Sequence, residues 1–265
     1  MIRVVRSELV RLRRPLILGA WFGLTALFAV MVSTIMFGTV AQGVDLPPGA
    51  PGVRFPGAAE LAEPDGIVAG LAAASSMFGI VTLSMWGVAT ATDRSSGLIR
   101  ILASAEPRRL RLLAGKVVAL ALVTAAATAV ATGIVVMASL PAAPAAGIAV
   151  DAWLTEPVPV ILGAFAQALA AQLVWGVLGL VVAVITGSAA AAIAVGVGYV
   201  LVVESIIGMV PDVPTDWLLG TTLNAIAAGG TTSVTFATAV TLGATYGIIG
   251  LVIAGLVFAR RDITD

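Results

Sequence analysis

Histidine and cysteine are both absent from this 265-residue chain, and charged residues make up only 11% of it. Those absences exclude disulfides, thiol catalysis, Cys/His metal centres and any Ser–His dyad. The lack of cysteine leaves the redox compartment open. Lysine is nearly missing too: Lys116 stands against thirteen arginines, a bias that fits GC-rich coding and carries no mechanism. Soluble domains cover themselves with charge at about a quarter of their residues, so this chain has no soluble surface. What it has instead is apolar length, with 60% hydrophobic residues and a mean hydropathy of +1.10.

Crossing about 30 Å of hydrocarbon takes roughly 20 apolar residues as a helix. Runs of that order fall at 16–39, 67–92, 115–139, 159–186, 189–210 and 234–259. Backbone polar groups in lipid must be satisfied within the segment, so the fold class read here is an all-α integral membrane protein with six transmembrane helices. The first run is far longer than a signal-peptide core and more spans follow it, so it reads as a retained span. Basic residues flanking spans stay on the cytoplasmic side. They concentrate in three segments: Arg3, Arg6, Arg11, Arg13 and Arg14; then Arg94, Arg100, Arg108, Arg109, Arg111 and Lys116; then Arg260 and Arg261. The connections 140–158 and 211–233 have none, and 40–66 has Arg54 against four acids. Both termini are therefore expected inside, with a tight inner turn at 187–188 and with Trp153 and Trp217 as outer interfacial aromatics.

At about 100° per residue, Ile2, Val5, Leu9 and Leu12 share one narrow face. Residues 1–15 thus read as an amphipathic interfacial helix ended by Pro15, with arginines on its remaining surface. A basic flank that only orients the first span is the plainer alternative, and the two are compatible. The segment 93–116, "DRSSGLIRILASAEPRRLRLLAGK", gathers six of the fourteen basic residues. Asp93 or Ser95 is placed to cap a short helix bearing Leu98, Ile99, Ile101 and Leu102 around Arg100. Pro107 then opens the entry to the third span, with Glu106 at its positive end. Read plainly, the cations enforce topology and touch anionic headgroups, at about 1 kcal/mol each. Arg3, Arg6, Arg13, Arg14, Arg108, Arg109, Arg111 and Lys116 are the candidate membrane-surface anchors.

The order of a flat amphipathic helix, six spans and a loop with Asp93, Gly97, Arg100, Leu102, Pro107, Gly115 and Lys116 resembles the type 2 ABC transporter permeases. The ending "FARRDIT", Phe258 to Thr264, is similar to that family's exit from its last span. Asp93 stands where glutamate is commoner, and Leu98 where threonine is frequent. The resemblance implies a single transmembrane permease domain over 1–265, in which 1–15 is the elbow helix and 93–106 a short cytoplasmic coupling helix. Asp93, Arg94, Gly97, Leu98, Arg100, Ile101 and Leu102 would then be the ATPase-coupling residues. It further implies an exporter subunit in the bacterial plasma membrane. Its partners would be a separate ABC ATPase carrying ATP and Mg²⁺, a second permease chain, identical or homologous, and membrane lipids.

The chain itself offers no nucleotide site. A phosphate-binding loop needs Gly-x-x-x-x-Gly-Lys-Ser/Thr, whereas "LRLLAGKV" places Leu110 at the first glycine and Val117 at the hydroxyl position. No cofactor, no catalytic residue, no metal site and no nucleic-acid partner is expected in it. Ion-coupled carriers embed charge in their spans, and here the sole acid well inside an apolar run is Glu204, about 22 Å along the fifth span at 1.5 Å per residue. It reads either as a carboxylate reaching water near the outer boundary or as part of a translocation path. Gln167 and Gln172 are read as interhelical hydrogen bonders. Gly19, Gly23, Gly243 and Gly247 allow close helix approach, within the chain or between chains. Outside the spans, 40–66 reads as irregular. Asp216 is read as the cap of a short outer or re-entrant helix, with Leu219, Leu223 and Ile226 as its stripe and Gly229-Gly230 at its end. A gradient-driven carrier or channel and, further off, a membrane-embedded enzyme are the rival classes.

Overall fold

The computed structural model describes residues 2–44, 55–95, 109–210 and 213–260. Every regular element among them is helical. The N-terminal helix α1 (Ile2–Leu12) leads into α2 (Pro15–Ala41), with Pro15 opening α2 at a position whose N–H has no helical partner anyway. After α3 (Ala58–Leu61) and a 3₁₀ segment (Pro64–Val68) come α4 (Ala69–Ala73) and α5 (Ser75–Ser95). The next elements are α6 (Arg109–Ala145), a 3₁₀ turn (Asp151–Leu154) and α7 (Pro157–Thr186). Then come α8 (Ala189–Gly198), a π-helical turn (Tyr199–Val203) and α9 (Glu204–Gly208). The chain closes with α10 (Leu219–Ala227) and α11 (Phe236–Arg260).

Four helices, α2, α6, α7 and α11, are long and apolar enough to cross a membrane, and the bent pair around Ala74 passes the same test only when its two parts are taken together. The second expected span, 67–92, is therefore not one straight helix: it bends by 46° at Ala74. Gly70, on the near side of the bend, lies so close to Ser33 and Val135 that a Cβ there would stand 2.8 Å from the Ser33 hydroxyl. The fifth expected span, 189–210, also departs from regularity. Its α-helical part is the ten-residue α8, continued through the π turn. The third is longer than 115–139, running on past Pro141 and Pro144.

Tryptophan and glycine interlock α5 with α7. Trp86 lies over Gly176 and Trp175 over Gly79, one ring from each helix resting on the bare backbone of the other. Between them Gly179 meets the carbonyl of Leu83. Both tryptophans are 1% exposed. Close approach at small residues is how helices gain dispersion contact when lipid tails are as apolar as leucine. The Trp86 indole N–H donates to the Thr124 hydroxyl at 2.9 Å, which ties in α6. Thr124, Thr128 and Thr132 each return their own hydroxyl proton to the carbonyl four residues back. Gln172 bonds across helices as expected, accepting from Thr82 at 2.8 Å and donating to the Ser75 carbonyl at 3.3 Å.

The turn between α7 and α8 is the two-residue link expected at 187–188. Gly187 adopts φ +70°, and the Ser188 hydroxyl caps α8 by accepting from the Ala191 N–H. At the end remote from α1, residues 55–68 are more ordered than an irregular loop. Trp153, expected at a lipid–water interface, is instead 1% exposed and donates its indole N–H to the Leu61 carbonyl at 2.9 Å. Its ring packs on Phe37 with centroids 6.5 Å apart. Trp217 remains exposed.

Candidate functional site

At the α1 end, two acids and two bases from three helices form one cluster. Lys116, on the second turn of α6, pairs with Asp93 near the end of α5 and reaches Glu8 of α1 at 3.4 Å. Arg11 pairs with both Glu8 and Asp93. The Lys116 ammonium also donates to the Ala89 carbonyl at 3.1 Å. The side chains of Glu8, Lys116 and Asp93 are 4%, 11% and 14% exposed. Two negative and two positive groups alternate here, so each charge leaves water against an opposite one, the condition under which burial of ions is tolerated.

Gly115 explains how α1 comes so near. Its α-carbon faces Val4, and a Cβ there would stand 3.1 Å from the Val4 Cβ and nearer still to its Cγ1. Beside it Leu12 is buried, with Val5 and Leu9 packed partly under the bundle, so three residues of the expected apolar face do turn inward while Ile2 stays exposed. The Gly115–Lys116 pair thus does structural work: the glycine admits α1 and the lysine ties it down. Residues 110–117 are wholly helical, where a phosphate-binding motif would have a glycine-rich loop before its helix.

The cluster corrects one expectation. Lys116 is no headgroup anchor, because its ammonium is spent on Asp93 and Glu8. Asp93 lies within α5, which continues to Ser95, and pairs with Arg11 and Lys116, while the short helix it was expected to cap falls outside the described residues. Arg3, Arg6, Arg13, Arg14 and Arg111 are exposed, as surface anchors require. Arg94 lies on the last turn of α5 and Arg109 on the first of α6. Gly97, Leu98, Arg100, Ile101, Leu102, Pro107 and Arg108 fall outside the described residues, as does the ending from Arg261 to Thr264. Glu8 went unnoticed in the sequence, where it stood as one acid among arginines. An acid on the wheel face next to Leu12 and Leu9 was the available signal.

A second polar site lies at the other end of the molecule. Glu204 is 0% exposed, which overturns the expectation of a carboxylate reaching water. Its Oε1 accepts the Gly220 N–H at 2.6 Å, so the carboxylate sits on the amide end of α10, where the helix dipole favours negative charge. A Cβ at Gly220 would collide with that carboxylate. The Tyr199 hydroxyl lies beside it, but Oε2 has no partner in hydrogen-bonding geometry among the described residues. Orphaned buried oxygens cost about 1–3 kcal/mol. Asp216 does not cap α10: Leu218 holds the N-cap position, and the Asp216 carbonyl accepts from Thr222. The rest of that expectation stands. Leu223 and Ile226 are buried and Leu219 packs beside them, and the end at Gly229 and Gly230, φ +71° and +115°, folds back onto the Ile226 and Ala225 carbonyls.

The four candidate packing glycines divide. Gly243 admits Ile226 and Leu223 of α10, and Gly247 touches Val174 at van der Waals distance. Gly19 and Gly23 have nothing within 4 Å of where a side chain would begin, so they pack against no helix among the described residues. Among the described residues no group of three or more acids is placed to hold a metal ion. No protein-family model matches the chain, and no curated protein matches it either.

Proposed function

We propose that the chain is the membrane permease subunit of an ATP-binding cassette exporter, working as a dimer with separate ATPase subunits. The observation that supports this best is the cluster of Glu8, Arg11, Asp93 and Lys116. It clamps both ends of the 94–115 connection to each other and to α1, so a force applied to that loop is delivered to three helices at once. A simple tether between two spans needs no such foundation. In this reading six spans are completed by the bent pair 64–95 and by the run 189–208, α1 lies on the inner leaflet as the elbow helix, and α10 lies toward the outside. Five arginines in the connection, Arg94, Arg100, Arg108, Arg109 and Arg111, supply guanidinium groups capable of the bidentate hydrogen bonds that a soluble partner uses and that headgroup attraction alone does not need.

Copurification of the tagged chain with an ATPase bearing a phosphate-binding loop is the direct test. Replacement of Gly97 or Arg100 is expected to lower transport and ATPase stimulation at least tenfold while leaving membrane insertion intact; normal export by these variants refutes the coupling role.

A gradient-driven carrier is favoured by one observation, the fully buried Glu204. Intramembrane carboxylates mark ion pathways. Uptake or efflux by the purified chain alone in liposomes, driven by an imposed ion gradient, decides for that reading.

A further inference from the structure

Three features converge on the amide end of α10. Glu204, at 0% exposure, supplies a carboxylate with one oxygen on the Gly220 N–H and the other outside hydrogen-bonding geometry with any described residue. The chain has only two tyrosines; Tyr199 flanks that carboxylate, and Tyr246 of α11 donates to the Trp217 carbonyl just before α10. The approach from α8 is a π-helical turn, a wide and uncommon winding that occurs often at functional sites. The helix end is thus held by a carboxylate on one side and a phenol on the other, each a single hydrogen bond on an otherwise apolar body.

We infer that Glu204 is the binding point for a protonated amine of an amphiphilic molecule, which competes with the amide end of α10 for the same carboxylate. The helix terminus offers the carboxylate about half a positive charge, and an ammonium offers a whole one with up to three donors. Oε2 meets no hydrogen-bonding geometry among the described residues and lies beside the Tyr199 hydroxyl, so the ammonium takes it first and then draws the carboxylate off the Gly220 N–H with its remaining donors. Neighbouring apolar surface suits the alkyl part: Tyr199 and Leu219 pack against the buried set of Leu83, Trp175, Leu223 and Ile226. An aromatic face beside a carboxylate is favourable for an organic cation. A divalent metal does not fit, since calcium takes six to eight oxygens and only one carboxylate is here. Among the described residues, Tyr199, Tyr246 and the exposed Asp216 bring no cation, and the acids Glu60, Glu63, Asp65, Asp151 and Glu156 of the same end bring none either, so an ammonium would be the first positive charge among them. Its arrival releases Gly220 and frees α10 to move.

The amine is a cargo only if the transport reading holds, but its binding is measured on the chain alone, so either idea can fail while the other stands. The absence of native cysteine makes Asn224→Cys a unique reporter on α10, read by maleimide labelling rate in lipid nanodiscs. Octylamine is expected to accelerate labelling at least fivefold, and octanol at equal membrane concentration is expected to leave it unchanged. With Glu204→Gln added, the amide still accepts from Gly220 and holds the helix, so labelling stays slow with or without octylamine. With Glu204→Ala the hold is lost and labelling is fast throughout. Equal acceleration by octanol, acceleration that survives Glu204→Gln, or no response to octylamine in the parent each overturns the assignment. Should the Glu204 variants fail to fold, the comparison of octylamine with octanol on the parent decides it.

Discussion

Glu8, Arg11, Asp93 and Lys116 show how one residue's value depends on its neighbours. Taking a single member from a buried ion cluster strands a charge of opposite sign, at a cost of about 3 kcal/mol. Lys116→Met is therefore expected to lower unfolding stability by about that amount in detergent. Adding Glu8→Gln to it removes one of the stranded charges, so the double variant is expected to lose less than the sum of the two single losses, by about 1–2 kcal/mol. Additive losses, read from thermal unfolding of the four proteins, would show that the four groups act separately. None of this was legible from spacing. Lys116 and Glu8 are 108 positions apart, and only the folded chain brings them together. In the sequence Lys116 stood among the arginines of one loop and Arg11 among those of the N-terminal helix; three of the four groups are instead shut away from headgroups, and Arg11 is only 21% exposed.

Helices were legible where length and hydropathy decide them, because hydrocarbon or a packed bundle leaves a long apolar run no other way to satisfy its backbone. The runs at 16–39, 115–139 and 159–186 fall within long helices, and 234–259 lies in one but for its first two residues. The irregularities were not legible, since each answers to a partner elsewhere. The bend at Ala74 follows where Gly70 meets Ser33 and Val135, and the winding at Tyr199–Val203 sets Glu204 against α10. Interlocking of Trp86 and Trp175 with opposed glycines was equally hidden, as glycine in an apolar run announces a close approach but not its occupant. Gly179→Ala tests that interlock. Its Cβ would meet the Leu83 backbone, which has little freedom to retreat, and overpacking of this kind costs about 1–3 kcal/mol. Gly133→Ala, in open space on α6, is expected to leave stability unchanged or slightly raised. Equal unfolding midpoints for the two would mean that α5 and α7 are not locked at that point.

For the molecule as a whole, the two polar sites lie at opposite ends of the same bundle. Under the proposed topology, the charge cluster faces the cytoplasm and the Glu204 site faces outward. Cysteine-free composition makes that checkable in intact cells: an impermeant maleimide is expected to label Trp217→Cys and to spare Ser7→Cys until the membrane is opened. Labelling of Ser7→Cys from outside would place the arginine end beyond reach of any cytoplasmic ATPase. Gly19 and Gly23 add a second whole-molecule observation, a strip of bare backbone on α2 left open by the described residues. In a permease dimer such a strip is free to receive a second copy.

The π-helical turn before Glu204 acts as a dial. A residue adds about 100° of rotation in an ordinary α-helix, and a five-residue turn wound wide withholds roughly one residue's worth of it. Rewinding Tyr199–Val203 as plain α-helix would swing the carboxylate about a quarter of a revolution off Gly220. The wide winding is thus what aims Glu204 at the amide end of α10.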